Sequence, residues 1–287
     1  MEQGIILKGV GGTYVVQTSQ GRVACTLRGK LRLKDSRVLV GDRVEVSLSA
    51  DGKSGVVEAV LPRKSELIRP PIANVDQVLV VFAVQNPEPN YLLLDRILVQ
   101  AELMNLGIVI VLNKGDLNPG LAEELRTAYS NISYPTFVTS ATEKKGLGEI
   151  RELLQGKIST LAGPSGVGKS SLLNALNPDL NLETGEVSVK LQRGRHTTRT
   201  VELISFGHGY VADTPGFSNL TLEPDQEANL QFAFPEIAKC AQDCHFRSCL
   251  HRHEPNCAVK EAVVHGQILE RRYNNYLTLL EEVAPRY

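Results

Sequence analysis

Gly163-Pro164-Ser165-Gly166-Val167-Gly168-Lys169-Ser170-Ser171 has the spacing GxxxxGK[ST] and follows the apolar run Ile158–Ala162. Glycines in such a loop let backbone N–H groups approach phosphate oxygens, and the helix opening at Lys169 adds the positive end of its dipole. Lys169 is then expected to reach the β- and γ-phosphates, and the Ser170 hydroxyl to ligate Mg²⁺. A second apolar run, 108–112, closes on Asn113-Lys114-Gly115-Asp116, an NKxD motif. The Asp116 carboxylate can accept from guanine N1–H and the 2-amino group, whereas adenine lacks that amino group and offers N1 as an acceptor. Asn113 would hold the base edge, and the Lys114 stem would lie over the ring. Thr139-Ser140-Ala141 fits an accessory guanine loop in which the Ala141 N–H meets O6.

Asp213-Thr214-Pro215-Gly216 matches DxxG. Asp213 is expected to hold Mg²⁺ through water, and the Gly216 N–H to sense the γ-phosphate. The next residue in Ras-like enzymes is a glutamine that orients the attacking water. Here it is Phe217, which cannot, so another group positions water or intrinsic turnover is very slow. The stretch Gly194-Arg195-His196-Thr197-Thr198-Arg199 offers one. A threonine, Thr198 ahead of Thr197, would ligate Mg²⁺ and bond the γ-phosphate by its N–H. His196 could orient water, or it could contact RNA phosphate instead.

Cys244-x4-Cys249-x-His251-x5-Cys257 supplies three thiols and one imidazole. Soft S/N donors in fours suit tetrahedral Zn²⁺, and a closed four-ligand shell implies a structural site. His245 and His253 flank the cluster as alternative donors, and Cys240 is a spare thiol. A disulfide framework belongs to short secreted chains.

The elements that must position these groups fall into three segments. In residues 1–68, five short apolar stretches alternate with turns, the pattern of a small barrel of the OB-fold type. Arg28, Lys30, Arg32, Lys34 and Arg37 would form a basic loop between strands, suited to nucleic-acid backbone rather than to base stacking, since Tyr14 is nearly the only aromatic there. In residues 69–220, buried-strand runs alternate with helical patterns, which is α/β with a parallel sheet. The NKxD motif precedes the phosphate loop, the reverse of the usual GTPase order, so the unit reads as a circularly permuted P-loop GTPase domain. Residues 221–287 read as an α-helical zinc-binding domain, with a helix before the cluster and a closing amphipathic helix carrying Ala262, Leu269, Tyr276, Leu280 and Val283.

The net charge of −1 conceals an asymmetry, because residues 1–70 hold 12 Lys/Arg against 7 Asp/Glu while the rest is acidic. A basic end is compatible with nucleic-acid phosphate contact. No apolar run approaches the roughly 20 residues that span a bilayer, and the start Met1-Glu2-Gln3-Gly4 shows no secretory pattern. A cytoplasmic protein without membrane partners is expected.

With NKGD, GPSGVGKSS, GRHTT and DTPGF in this order, and Cys249-Leu250-His251-Arg252-His253-Glu254-Pro255-Asn256-Cys257 behind them, the chain resembles the ribosome small subunit-dependent GTPase A family, also called YjeQ or YloQ. The resemblance spans nearly the full length. Ser248 stands where the family more often has Asp, but that position is not a ligand. The resemblance implies a GTPase that binds the small (30S) ribosomal subunit and its rRNA through the flanking domains. It would assist late maturation and hydrolyse GTP to GDP faster on the subunit, acting as a monomer. Residue chemistry alone leaves room for an RNA-binding GTP/GDP switch or checkpoint module whose hydrolysis is incidental, acting on this or another RNA.

Overall fold

A computed structural model describes residues 1–33, 37–68, 70–180, 182, 201–213, 222 and 227–284. The chain begins with β1 (Glu2–Val10), β2 (Thr13–Thr18) and β3 (Gly21–Leu27), then α1 (Gly29–Leu33), β4 (Arg43–Leu48) and β5 (Ser54–Val60). The strands close in the order β1-β2-β3-β5-β4 and back to β1, with only the β3–β5 pair parallel. Period-2 alternation turns Ile6, Val16, Val23, Cys25, Val44, Val46 and Val57 into the barrel core. The expected OB-like barrel is present. The basic stretch after β3 is not a plain loop, however. Leu31 N–H donates to Arg28 O at 2.8 Å and Leu31 packs against the barrel core, which winds the start of that stretch into α1.

A two-residue pairing of β6 (Glu66–Leu67) with β7 (Ile72–Ala73) leads into the α/β unit. Its elements are β8 (Gln77–Ala83), α2 (Tyr91–Leu103), β9 (Gly107–Asn113), α3 (Pro119–Asn131), β10 (Thr136–Val138), α4 (Leu147–Leu154), β11 (Ile158–Ala162), α5 (Lys169–Leu176), β12 (Glu202–Phe206) and β13 (Gly209–Asp213). Helix starts follow their sequence signals: Asn90 accepts from Leu93 N–H, and Asn118, before Pro119, accepts from Leu121 N–H. Strands β10-β9-β8-β11-β13 are parallel. Every residue of β8 is buried, because helices cover both faces. Leu94, Ile97 and Leu98 of α2 and Leu125 and Tyr129 of α3 fill one side. Ile150 and Leu154 of α4 and Leu172 and Leu173 of α5 fill the other.

The sheet departs from the all-parallel expectation at one strand. Only Gly207 and His208 separate β12 from β13, too short for a crossover, so β12 runs antiparallel. Its free edge meets β1 of the barrel through the pair Lys8↔Glu202, which makes barrel and domain one continuous sheet.

The last segment contains α6 (Glu227–Leu230), a 3₁₀ turn Gln231–Ala233, α7 (Pro235–Ala241), α8 (Ala258–Val264) and α9 (Glu270–Val283). The closing helix expected from periodicity is thus two helices. Gly266, at φ +70°, ends α8 in a Schellman motif: its N–H donates to Val263 O at 3.0 Å and the Gln267 N–H to Ala262 O at 2.8 Å. Among the described residues no helix is long and apolar enough to cross a membrane.

Candidate nucleotide site and metal centre

Asn113 ends β9, and Thr139 and Gly163 follow β10 and β11, so all three lie at the C-terminal edge of the parallel sheet, where open α/β sheets bind ligands. The phosphate loop closes sharply there. Gly163 has φ +138°, and a Cβ on it would lie 2.0 Å from Val81 O. Gly168 has φ +91°, and a Cβ there would strike Asn113 Nδ2 at 2.4 Å. Gly168 caps α5, so Lys169, Ser170 and Ser171 form its first turn, all half-buried. The Lys169 ammonium donates to Gly163 O at 2.8 Å and Pro164 O at 2.7 Å. Burial lowers its pKa. Phosphate oxygens, being charged, are stronger acceptors for the same group than these carbonyls.

The base loop and the phosphate loop are tied together by side chains. Asn113, 1% exposed, donates through Nδ2 to Val167 O at 2.9 Å. Its Oδ1 accepts from Thr139 Oγ1 at 3.2 Å and from Ala141 N–H at 3.3 Å. The Ala141 N–H assigned to guanine O6 therefore points at Asn113 in this structure. Lys114 crosses the gap between the loops, its Nζ donating to Gly166 O at 2.9 Å and to Asn86 O. Gly115 is packed so that a Cβ would meet Val138 Cγ1 at 2.3 Å. Asp116 Oδ1 is buried without a hydrogen-bond partner. An orphaned carboxylate oxygen is costly, and paired N–H donors such as those of guanine relieve that cost. Ser140, also buried, bonds Thr142 at 3.1 Å and accepts from Glu143 N–H at 3.1 Å, which shapes the accessory loop. His196, Thr197, Thr198, Gly216 and Phe217 lie outside the described residues. Asp213 is described as the end of β13, without its side chain.

Cys244 Sγ, Cys249 Sγ, Cys257 Sγ and one His251 ring nitrogen lie within 4.8 Å of one another, and the cluster can hold a metal ion. His251 Nδ1 faces the sulfurs, 3.6 Å from Cys244 and 3.4 Å from Cys257. Its Nε2 lies 3.0 Å from Gln231 Oε1. Burial pushes the Cys249 thiol up to about 12, raises Cys257 as well, and lowers His251. The imidazole is thereby kept neutral, as ligation requires. A cation among the donors reverses the sign for the thiols, because thiolate is the ligand form. The ligand loop is braced by Tyr273 Oη, which donates to His251 O at 2.6 Å, and Tyr276 Oη, which donates to Leu250 O at 2.9 Å. His245 and His253 are exposed, and Cys240 is not in the cluster. Reading residue types did not single out Thr139 as the holder of Asn113, or Gln231 as the partner of His251. Thr139 sits inside a recognised motif, but Gln231 carried no signal.

A parallel-sheet unit presenting a phosphate loop and an NKxD loop side by side, in reversed chain order, is a circularly permuted GTPase, a GTP-hydrolysing enzyme. Residues 60–223 match the family model described as RsgA GTPase, and residues 3–57 that described as RsgA N-terminal domain. The chain belongs to the RsgA GTPase family. The Small ribosomal subunit biogenesis GTPase RsgA of Carboxydothermus hydrogenoformans is 48% identical over 284 residues, 98% of each chain. The protein of that name from Moorella thermoacetica is 48% identical over 286 residues, 99% of this chain and 98% of its own. The crystal structure of YjeQ from Thermotoga maritima superposes with a TM-score of 0.85 at 42% identity and 98% coverage of both chains. That of YloQ, titled a circularly permuted GTPase, gives 0.83 at 37% identity, covering 99% of this chain and 96% of its own.

Proposed function

We propose that this enzyme binds the small ribosomal subunit through its rRNA, assists its late maturation, and hydrolyses GTP faster when bound. The observation that carries the reading is full-length similarity to relatives named for small-subunit biogenesis. The division follows residues 1–68 as an RNA-binding barrel, 69–220 as the GTPase domain and 221–287 as the zinc domain. The enzyme acts as a monomer in the cytoplasm.

In this reading the Gly163 to Ser171 loop holds the phosphates, while Asn113, Lys114, Gly115 and Asp116 read guanine with Ser140 and Ala141. Ser170, Thr198 and Asp213 hold Mg²⁺, and the Gly216 N–H and Thr198 sense the γ-phosphate. Mg²⁺ neutralises phosphate charge during transfer. With Phe217 after DxxG, His196 is the candidate to orient water once the subunit positions it. The ion in the Cys₃His cluster is Zn²⁺. Tetrahedral zinc sets sulfurs about 3.8 Å apart and sulfur to nitrogen about 3.6 Å apart. Cys244 and Cys257 sulfurs are 3.8 Å apart, and the His251 nitrogen is 3.6 and 3.4 Å from them. Zinc here staples the module.

The test is GTP turnover with and without purified small subunits, paired with co-sedimentation in GDP and in a non-hydrolysable GTP analogue. Stimulated turnover and tighter binding of the GTP form are expected. A useful switch separates the two states by at least about 1–3 kcal/mol. Phe217 favours a second reading for the free protein, an RNA-binding switch with incidental hydrolysis. Nucleotide-dependent binding without stimulation would select it.

A further inference from the structure

Arg272 is a fully buried guanidinium, with no exposed side-chain surface. It joins three segments distant in sequence. From α9 its Nη1 donates to Asp95 Oδ1 of α2 at 2.6 Å. Its Nε and Nη2 donate to the two oxygens of Glu236, in the first turn of α7, at 2.7 and 3.0 Å. Asp95, itself 0% exposed, has its second oxygen taken by Asn275 Nδ2 at 2.7 Å. Aromatic rings close the site: Phe234 lies 4.7 Å and Tyr129 5.8 Å from the guanidinium carbon. At the rim, Arg96 of α2 makes a two-pronged contact with Glu282 at 2.5 and 2.6 Å.

The same helix holds the metal loop through Tyr273 and Tyr276. Helix α9 is therefore a rod between the metal centre and α2, which packs directly on the parallel strands β8 and β9. An apolar contact alone would not fix this placement, because hydrophobic attraction is non-directional and tolerates sliding. A buried charge network does not. Rotating the module would keep the Arg272–Glu236 pair, which lies within it, but would strip buried Asp95 of both Arg272 and Asn275, so alternatives are penalised more than the native state is stabilised.

We propose that Arg272 is the positioning residue that fixes the metal-bearing module on α2, so that module and nucleotide-binding unit keep one relative placement in both the GDP- and GTP-bound free enzyme. The nucleotide is then signalled by local rearrangement, and the module does not swing as a body. This goes beyond the ribosomal reading and does not depend on it.

The experiment uses the full-length, metal-loaded enzyme with spin labels at Glu124→Cys on α3 and Val264→Cys on α8, in a Cys240→Ser background. Both label positions are exposed, and Cys25 is buried. Pulsed electron-spin distance measurement should give a single narrow distribution, unchanged between GDP and a non-hydrolysable GTP analogue. The combined variant Asp95→Asn, Glu236→Gln and Arg272→Met keeps side-chain volume and removes all three charges, so no charge is stranded. It should broaden the distribution while retaining metal stoichiometry and GDP affinity. Arg272→Lys, which keeps the charge and loses the fork, should give intermediate width. This single variant decides the matter if the combined one does not fold. A wild-type shift of about 5 Å or more between nucleotides, roughly one helical turn, overturns the proposal. So does a width in the folded variants equal to that of wild type.

Discussion

Asp116 places one carboxylate oxygen in a buried position without a partner, and that single group is where base choice is tested most directly. Asp116→Asn should weaken GTP binding and improve use of xanthosine triphosphate, whose 2-oxo group accepts from an amide. Losing charged hydrogen bonds costs about 1.5–3 kcal/mol each, readable by titration with both nucleotides, and unchanged GTP affinity would remove Asp116 from base reading. The catalytic assignment rests on residue type alone, since His196 lies outside the described residues. His196→Ala should lower subunit-stimulated turnover by roughly 10²–10⁴-fold with little change in GTP affinity, the signature of an interaction made only in the transition state. An unaltered turnover number assigns His196 to RNA contact or structure. Asn113 was legible as a site residue from its motif. That it spends both ends of its amide on the phosphate loop and on Thr139 and Ala141 was not, because a motif gives residue types and not the direction of an amide.

At the scale of elements, strands and helices of the α/β unit were readable because each strand is a short apolar run, each helix has helical spacing, and α2 and α3 open on a capping Asn. The metal module is different. Cys249 and Cys257 belong to its core beside Phe234, Tyr276 and Leu280, so a metal held by them would close a core that short helices cannot close alone. Cys249→Ala should therefore lose stoichiometric metal and expose the amides of α7, α8 and α9 to hydrogen exchange, while GTP binding persists. Full metal retention in elemental analysis would contradict the ligand assignment. The break between α8 and α9 was missed for a local reason. Helical spacing of apolar residues continues across it, while the left-handed backbone at Gly266 and the extended Leu269 interrupt the helix.

At the scale of the molecule, the barrel does not hang free at one end. It is seated on β12, through the Lys8–Glu202 pair and through Arg22 Nη2, which donates to Ser205 Oγ at 3.2 Å. Strand β12 leads directly into β13 and Asp213, so barrel placement and the proposed Mg²⁺-holding residue share a hairpin. The Lys8 and Glu202 side chains are 38% and 45% exposed, and a solvent-screened pair is worth at most about 1 kcal/mol. Lys8→Glu removes that attraction and sets two carboxylates opposite each other, so it should cost no more than about 2 kcal/mol in denaturant unfolding, and the charge swap Lys8→Glu with Glu202→Lys should restore it. A loss several times larger, or one the swap does not restore, would mean that the seat rests on something other than this pair.

The sequence by itself determined what is local: the phosphate loop after its strand, the NKxD motif before it in chain order, the four candidate metal donors, and the barrel's short alternating strands. Each is a contiguous stretch whose residue types and spacing are the chemistry. Tertiary structure alone decided the contacts between stretches. Gln231 meets His251 across 20 residues, Glu236 meets Arg272 across 36, and Asp95 meets Arg272 across 177. In the chain an Arg, a Glu or a Gln at such a position looks like any solvated side chain. Only folding shows which of them are taken out of water, and a desolvated charge or amide must then find its partner wherever the fold has put it.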